Sequence, residues 1–226
     1  MKKILNYSLF LLILLSFSCS KDDEVLEEVK PLHEAVVGNL NSALNFTALP
    51  DAMVVNTNET SKEAVTAFDD LVRIADQVVT FLEVPKTTIS SDITNNKESF
   101  SWLDNLFGDT VEVNYEIKKE SDRYVFSYKA TKGDFSLEFI KGNTLLDENA
   151  GIFIINEGNT IGSLSWEITE KDLIIELLFE GKTTLTYNKT DKSGTLISGD
   201  VTYQWNEDGS GSLTDRSLNT PVVKTW

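Results

Sequence analysis

The chain has 226 residues, with 20 basic and 36 acidic side chains and a formal charge of −16 at pH 7. A surface this acidic is repelled by phosphate backbones and anionic head groups, which excludes nucleic acid as a partner and favours cations, basic proteins or neutral ligands. Hydrophobic content of 41% in a chain of this length is enough for one sizeable core.

The first element is a leader. Lys2 and Lys3 give a positive front, Ile4 to Phe17 is apolar apart from Asn6, Tyr7, Ser8 and Ser16, and Ser18, Cys19 and Ser20 follow. This is the pattern of a secretory signal, and its apolar part is too short to span a bilayer comfortably. Cys19 is the only cysteine, so it has no internal disulfide partner. The stretch Leu14-Leu15-Ser16-Phe17-Ser18-Cys19 resembles a bacterial lipoprotein signal in the loosened form used by Bacteroidota, with Ser16 where leucine is preferred. The resemblance implies cleavage before Cys19 and acylation of its thiol. That would leave 208 residues and, with Lys2 and Lys3 gone, a charge of −18. Several acyl chains hold a protein in a membrane stably, where one does so only marginally, at about 0.8 kcal/mol per buried methylene. Ser20, Lys21, Asp22, Asp23 and Glu24 are similar to the acidic export tag of Bacteroidota lipoproteins facing the cell exterior, which implies an outer-membrane location. An ordinary cleaved leader with a free thiol is the other reading.

Residues 1–18 are thus read as signal, 19–30 as an acidic tether, 31–85 as a helical region and 98–226 as an antiparallel β domain. Pro31 suits a first helical turn, and Leu32, Val36, Leu40, Ala43 and Leu44 recur at helical spacing. Ala48 to Asn58 reads as a loop. Thr60 and Glu63 form a capping-box pattern ahead of Ala64, Phe68, Leu71, Val72, Ala75, Val78, Val79 and Leu82, and Val84-Pro85 closes that helix. Thr87 to Asn96 is polar and reads as a connection.

From about Phe100 the period becomes two. Val111, Val113, Tyr115 and Ile117 alternate with Glu112, Asn114 and Glu116, and the same rhythm returns through Tyr128, Phe139, Trp166, Ile175, Leu185 and Tyr203. Turn residues punctuate it at Lys132-Gly133-Asp134, Lys141-Gly142-Asn143, Lys192-Ser193-Gly194 and Glu207-Asp208-Gly209. One buried and one wet face per strand predicts an antiparallel meander of about eight to ten strands. Ile152 to Ile155 is apolar on both faces and is expected to be covered on both sides by the helices. The fold class is α+β: amphipathic helices, then a large curved antiparallel meander or open barrel. Residues 98–214, with Trp102, the hairpin rhythm and Trp205-Asn206-Glu207-Asp208-Gly209-Ser210-Gly211-Ser212, are similar to uncharacterised β-rich Bacteroidota lipoproteins. That resemblance implies a fold class and no catalytic residue.

Enzymatic constellations are scarce. His33 is the only histidine and reads as a solvated helix residue, which excludes His/Cys zinc sites and His-based nucleophilic catalysis. No phosphate loop or G-x-S-x-G elbow is present. Glu112, Glu116, Glu138 and Glu167 fall on wet strand positions, so a pair of catalytic carboxylates is a weaker reading than a solvated face. Asn206, Asp208 and Ser210 offer oxygens in a Gly-rich loop that could take calcium, although a hairpin turn explains them without metal. No other cofactor is expected. Trp166 and Trp205 share the buried phase, while Trp102 and Trp226 are freer for sugar stacking. Asp109-Thr110-Val111 resembles a Bacteroidota O-glycosylation acceptor at Thr110. The expectation is a lipid-anchored, surface-displayed, non-enzymatic module that binds a protein, glycan or apolar ligand. The alternatives are a carrier with an apolar ligand in a lipocalin-like or half-barrel cavity and a carboxylate-based glycoside hydrolase.

Overall fold

The computed structural model describes residues 31–226, except 45–46, 87, 89–91, 95, 107, 158–159 and 180. Cys19 and the run Ser20 to Glu24 lie outside the described residues. Helix α1 spans Leu32–Leu44, α2 Asp51–Val54 and α3 Glu59–Leu82. The α3 stripe of Ala64, Phe68, Leu71, Ala75, Val78, Val79 and Leu82 is buried as its spacing predicts. Its N-terminus differs from the expected capping box. Asn58 is the cap, and its Oδ1 accepts from the Thr60 N–H at 2.8 Å. Asparagine caps at least as well as threonine, so the helix begins earlier and Thr60 falls inside it. Glu63 instead accepts from the Tyr203 hydroxyl at 3.3 Å. The predicted loop Ala48 to Asn58 contains α2, a single turn that sets Met53 in the core.

Among the described residues the sheet has thirteen strands: β1 Asp92–Thr94, β2 Lys97–Leu106, β3 Asp109–Lys119, β4 Arg123–Lys132, β5 Phe135–Leu145, β6 Ala150–Glu157, β7 Thr160–Ile168, β8 Asp172–Leu178, β9 Lys182–Asn188, β10 Gly194–Ser198, β11 Val201–Trp205, β12 Gly211–Asp215 and β13 Val222–Thr225. Each pairs antiparallel with its chain neighbours, in sequence order from β1 to β13. The fold is therefore α+β with an open meander, and it exceeds the predicted eight to ten strands. β1 lies within the stretch read as a connection, and the last strands are only four or five residues long.

The inner face carries Tyr115, Phe126, Tyr128, Phe153, Leu164, Trp166, Ile175, Leu185, Leu196 and Trp205, all buried. Large side chains buried in this way each stabilise the fold by about 1.5–3 kcal/mol. Phe81 of α3 meets Phe139 of β5 at 5.4 Å and Phe68 meets Trp205 of β11 at 6.0 Å, both edge to face. Thirteen residues of helix cover about 20 Å, whereas six flat strand spacings cover about 29 Å. The sheet closes this gap by bending round the helices. Most of the face that a carried apolar ligand would need is occupied by α1 and α3; at one end of β2–β5 a pocket of about 140 Å³ lined by Leu106, Val111, Ala130, Phe135 and Leu137 stays open.

Two expectations about β5 and β6 are corrected. Lys141-Gly142-Asn143 is not a turn: β5 runs through it, and the connection to β6 lies at 146–149. Gly142 is required mid-strand, since a Cβ there would stand 2.1 Å from the Ile152 carbonyl oxygen and 2.8 Å from the Phe126 ring. Between Tyr128/Ile140 and Lys129/Glu138 the register shifts by one, leaving Phe139 as the extra residue of a bulge. Phe139 and Ile140 are consequently both buried. Nor do helices cover both faces of Ile152 to Ile155. Phe153 and Ile155 face the helices, while Ile152 and Ile154 are half-buried on the outer face beside Val125.

The strand glycines share one device. Gly142, Gly151, Gly162, Gly194 and Gly211 lie beneath the rings of Phe126, Trp166, Phe179, Trp205 and Trp226 respectively. Gly142, Gly151 and Gly194 are in direct register with their aromatic partners, and Gly211 exchanges both backbone hydrogen bonds with Trp226. The missing Cβ is the space that the ring fills.

Candidate binding groove on an uncharged sheet face

The outward positions of β9–β13 alternate with buried Leu185, Leu196, Tyr203 and Leu213. On the same face β9 also carries Lys182 and Asn188 at its ends. The other ten form two rows in register: Thr186, Thr195, Gln204, Ser212 and Thr225, then Thr184, Ile197, Thr202, Thr214 and Val223. None is charged. Over the first row, at one end of strands β8–β13, runs a groove of about 720 Å³. Its rim is formed by Asp172, Asn188, Asn206 and Ser210, and Trp205 and Trp226 also line it. Among the described residues the side chains of Thr186, Thr195, Gln204 and Ser212 have no hydrogen-bond partner. Arg216, from the loop after β12, donates to Thr202 in the second row at 2.9 Å.

The two tryptophans are held rigidly. Trp205 Nε1 donates to the Lys192 carbonyl at 2.7 Å and Trp226 Nε1 to the Gly209 carbonyl at 2.8 Å. As their phase predicts, Trp166 and Trp205 are buried, whereas Trp102 and Trp226 are half-buried.

Three loops next to these strands repeat one turn. Asp191, Asp208 and Asp215 each accept, through Oδ1, from the backbone N–H and the hydroxyl of the serine two positions on, with hydroxyl distances of 2.6 Å. The serine hydroxyl, then its N–H, holds each of these aspartates below the usual carboxylate range. The proposed calcium loop is one of these turns. Asn206 Nδ2 also donates to Ser210 Oγ at 3.0 Å, so the loop's polar groups are directed at each other. Gly209 has φ +79°, and a Cβ there would come within 2.6 Å of the Met53 nitrogen, so the turn docks α2 against the sheet. Asn206 and Ser210 reach the groove and Asp208 does not.

Thr110 is exposed at the start of β3 and donates to Asn105 Oδ1 at 2.9 Å, remote in sequence and strand order from the groove. The four acids expected on wet faces are there. Glu116 bonds Lys118 at 2.8 Å and Lys97 at 3.0 Å, and these contacts, Lys118 foremost, lower its pKa. Glu138 pairs with Lys141.

His33 is not the solvated residue expected. It is half-buried, its Nδ1 lies 2.9 Å from Glu98 Oε2, and its backbone N–H donates to the same oxygen at 3.1 Å. Glu98, buried on β2, thus caps the first turn of α1 from across the fold. A second cavity of about 650 Å³ lies beside it, where Glu34, Glu83 and Lys86 mix with Val37, Pro85 and Phe100.

In sequence the Thr186 row reads as ordinary wet face. The signal lay in the outward residues of Thr-Leu-Thr, Thr-Leu-Ile, Thr-Tyr-Gln, Ser-Leu-Thr and Val-Lys-Thr, none of them charged in a highly acidic chain. No sequence signal links Glu98 to a helix that precedes it by more than fifty residues.

No family model, curated protein or solved structure matches the chain. Among the described residues no helix is long and apolar enough to cross a membrane. Among the same residues no three His, Cys, Asp or Glu side chains converge as a metal site would require.

Proposed function

We infer that this is a lipid-anchored protein of the outer membrane, displayed outward, that acts as a non-enzymatic binding module. The observation that carries the binding reading is the groove over the unpartnered, uncharged side chains of Thr186, Thr195, Gln204 and Ser212. Its volume falls within the range of small-ligand sites, while helices cover most of the apolar face of the same sheet and the pocket left open there is only about 140 Å³. The anchor rests on the leader and on Cys19 as the lone thiol, and the outward orientation on Ser20 to Glu24.

The test is fractionation with surface proteolysis. The wild-type chain partitions into membranes, incorporates labelled palmitate and is digested by protease added to intact cells. Cys19→Ser abolishes the label and releases the protein. A wild-type chain that stays soluble with a titratable thiol overturns the anchor, and protection from external protease overturns the outward display.

A further inference from the structure

We propose that the groove binds a neutral polysaccharide, lying across the strands rather than along them; this deepens the binding-module reading and rests on it. The floor of the groove is periodic. Thr186, Thr195, Gln204 and Ser212 stand opposite one another on four adjacent strands, so a polar group recurs about every 4.8 Å over a ladder of about 14 Å. A repeating ladder suits a ligand that repeats.

The chemistry of the ladder selects hydroxyls. Threonine and serine each donate once and accept through two lone pairs, and the glutamine amide does both. A polyhydroxylated ligand can satisfy every one of these groups, and an apolar ligand would leave them desolvated and unpaired.

Charge narrows the class further. The ten positions of the two aligned rows carry no ionisable side chain although a quarter of the residues are charged, and the cation that β9 presents on that face, Lys182, lies two residues beyond Thr184 and pairs with Glu176 at 2.6 Å. Asp172 alone among the groove's lining is ionisable. An anionic polymer would find no cation among the residues lining the groove and would meet a net charge of −16. A cationic one would find better partners on almost any other surface.

The test is affinity electrophoresis of the full chain through gels cast with α-glucan, β-glucan, mannan, xylan or galactan, with polygalacturonate and dextran sulfate as anionic counterparts. The matching oligosaccharides are titrated calorimetrically to separate binding within a chain from binding to a chain end. At least one neutral polymer retards the protein. Thr195→Val with Gln204→Ala weakens that binding tenfold or more, and Thr195→Lys abolishes it, all with unchanged circular dichroism because both side chains point to solvent. Lys118→Thr, on the other half of the sheet, leaves it unchanged. Retardation by no neutral polymer, preference for an anionic one, or retardation untouched by the groove variants overturns the assignment. A cross-linking capture from intact cells, run in parallel, separates the two levels. A protein partner lost in Thr195→Lys overturns the polysaccharide and leaves the binding module standing. Capture of nothing, together with no retarded polymer, overturns both.

Discussion

Across β2–β5 the outward positions include Lys97, Glu112, Glu116, Lys118, Lys129, Glu138 and Lys141, and the ion pairs Lys97–Glu116, Lys118–Glu116 and Lys141–Glu138 lace them together. The two aligned rows across β9–β13 hold six threonines, a serine, a glutamine, an isoleucine and a valine, with Lys182 and Asn188 at the two ends of β9 as the remaining outward positions. Both sets suit a solvated antiparallel face, and both alternate with an aromatic-rich interior. The difference lies in what solvation alone requires. A charged face next to a sheet edge resists edge-to-edge pairing, whereas an uncharged, β-branched face beside the open edge β13 is a liability. Solubility explains the first half and leaves the second unexplained, and the groove over the Thr186 row supplies a reason for it.

If the halves differ only outside, their interiors should be equally costly to damage. Phe153→Ala, on β6, and Trp205→Ala, on β11, are each expected to lower stability by about 3–5 kcal/mol, read as a fall in urea midpoint with unchanged slope. A much smaller loss at Trp205, or two separate transitions, would show that the C-terminal half is not part of one cooperative core. Filling the glycine sites comes next in size. Gly151→Val and Gly194→Val drive a side chain into Trp166 and Trp205, at a cost of about 1–3 kcal/mol each. A neutral result would mean that the rings move aside freely.

The tyrosines sharpen the comparison. In the C-terminal half Tyr187 donates to the Ala48 carbonyl at 2.8 Å and Tyr203 to Glu63. In the first half the buried Tyr115 hydroxyl has no partner among the described residues. Tyr187→Phe therefore loses about 0.5–1.5 kcal/mol, while Tyr115→Phe gains about 1 kcal/mol by removing an unsatisfied group. The phenols also set an alkaline limit. Burial, then Glu98, raises the pKa of Tyr115; burial, then Asp104, raises that of Tyr128; and burial, then Glu63, pushes Tyr203 to about 12 from 10.0. Native pKa values above the unfolded value mean that this contribution is intact below pH 10 and is lost as pH climbs through 12. Absorbance titration of the native chain should show phenolate appearing at higher pH than in urea.

Much of this fold was legible because period decides it. The stripe from Ala64 to Leu82 admits only a helix, and Val113, Tyr115 and Ile117 only a half-buried strand. What stayed hidden depends on partners distant in sequence. Gly142 reads as a turn because glycine usually punctuates, and only the Phe126 ring and the Ile152 carbonyl reveal that it fills a strand. Ile152 and Ile154 read as doubly covered because apolarity does not say what lies above. His33 read as solvated because its partner, Glu98, approaches from another element. The groove is half visible in sequence: Asn206 and Ser210 read as oxygen donors, but the ladder beside them exists only once four strands are aligned, so no window of sequence contains it.

The smallest expected effect on stability is the most informative about the two faces. Thr195→Lys puts a cation among the uncharged positions, and Lys118→Thr removes one from the charged half. Surface changes of this kind usually move stability by less than about 0.5 kcal/mol, and exposed ion pairs such as Lys118–Glu116 contribute about 0–1 kcal/mol at low salt. Lys118→Thr should therefore cost a few tenths of a kcal/mol, and the cost should vanish in 1 M salt as the pair is screened. It should also relax the Glu116 carboxyl upward, since Lys118 is the main cause of its depression, so the variant loses less stability than wild type as pH falls through the carboxylate range. Thr195→Lys has no such pair to form or lose among its row neighbours, and its stability should be insensitive to salt. Salt-insensitive loss above about 1 kcal/mol at position 195 would mean that the uncharged face is packed rather than open, and the distinction between the two halves of the sheet would then be one of structure instead of ligand chemistry.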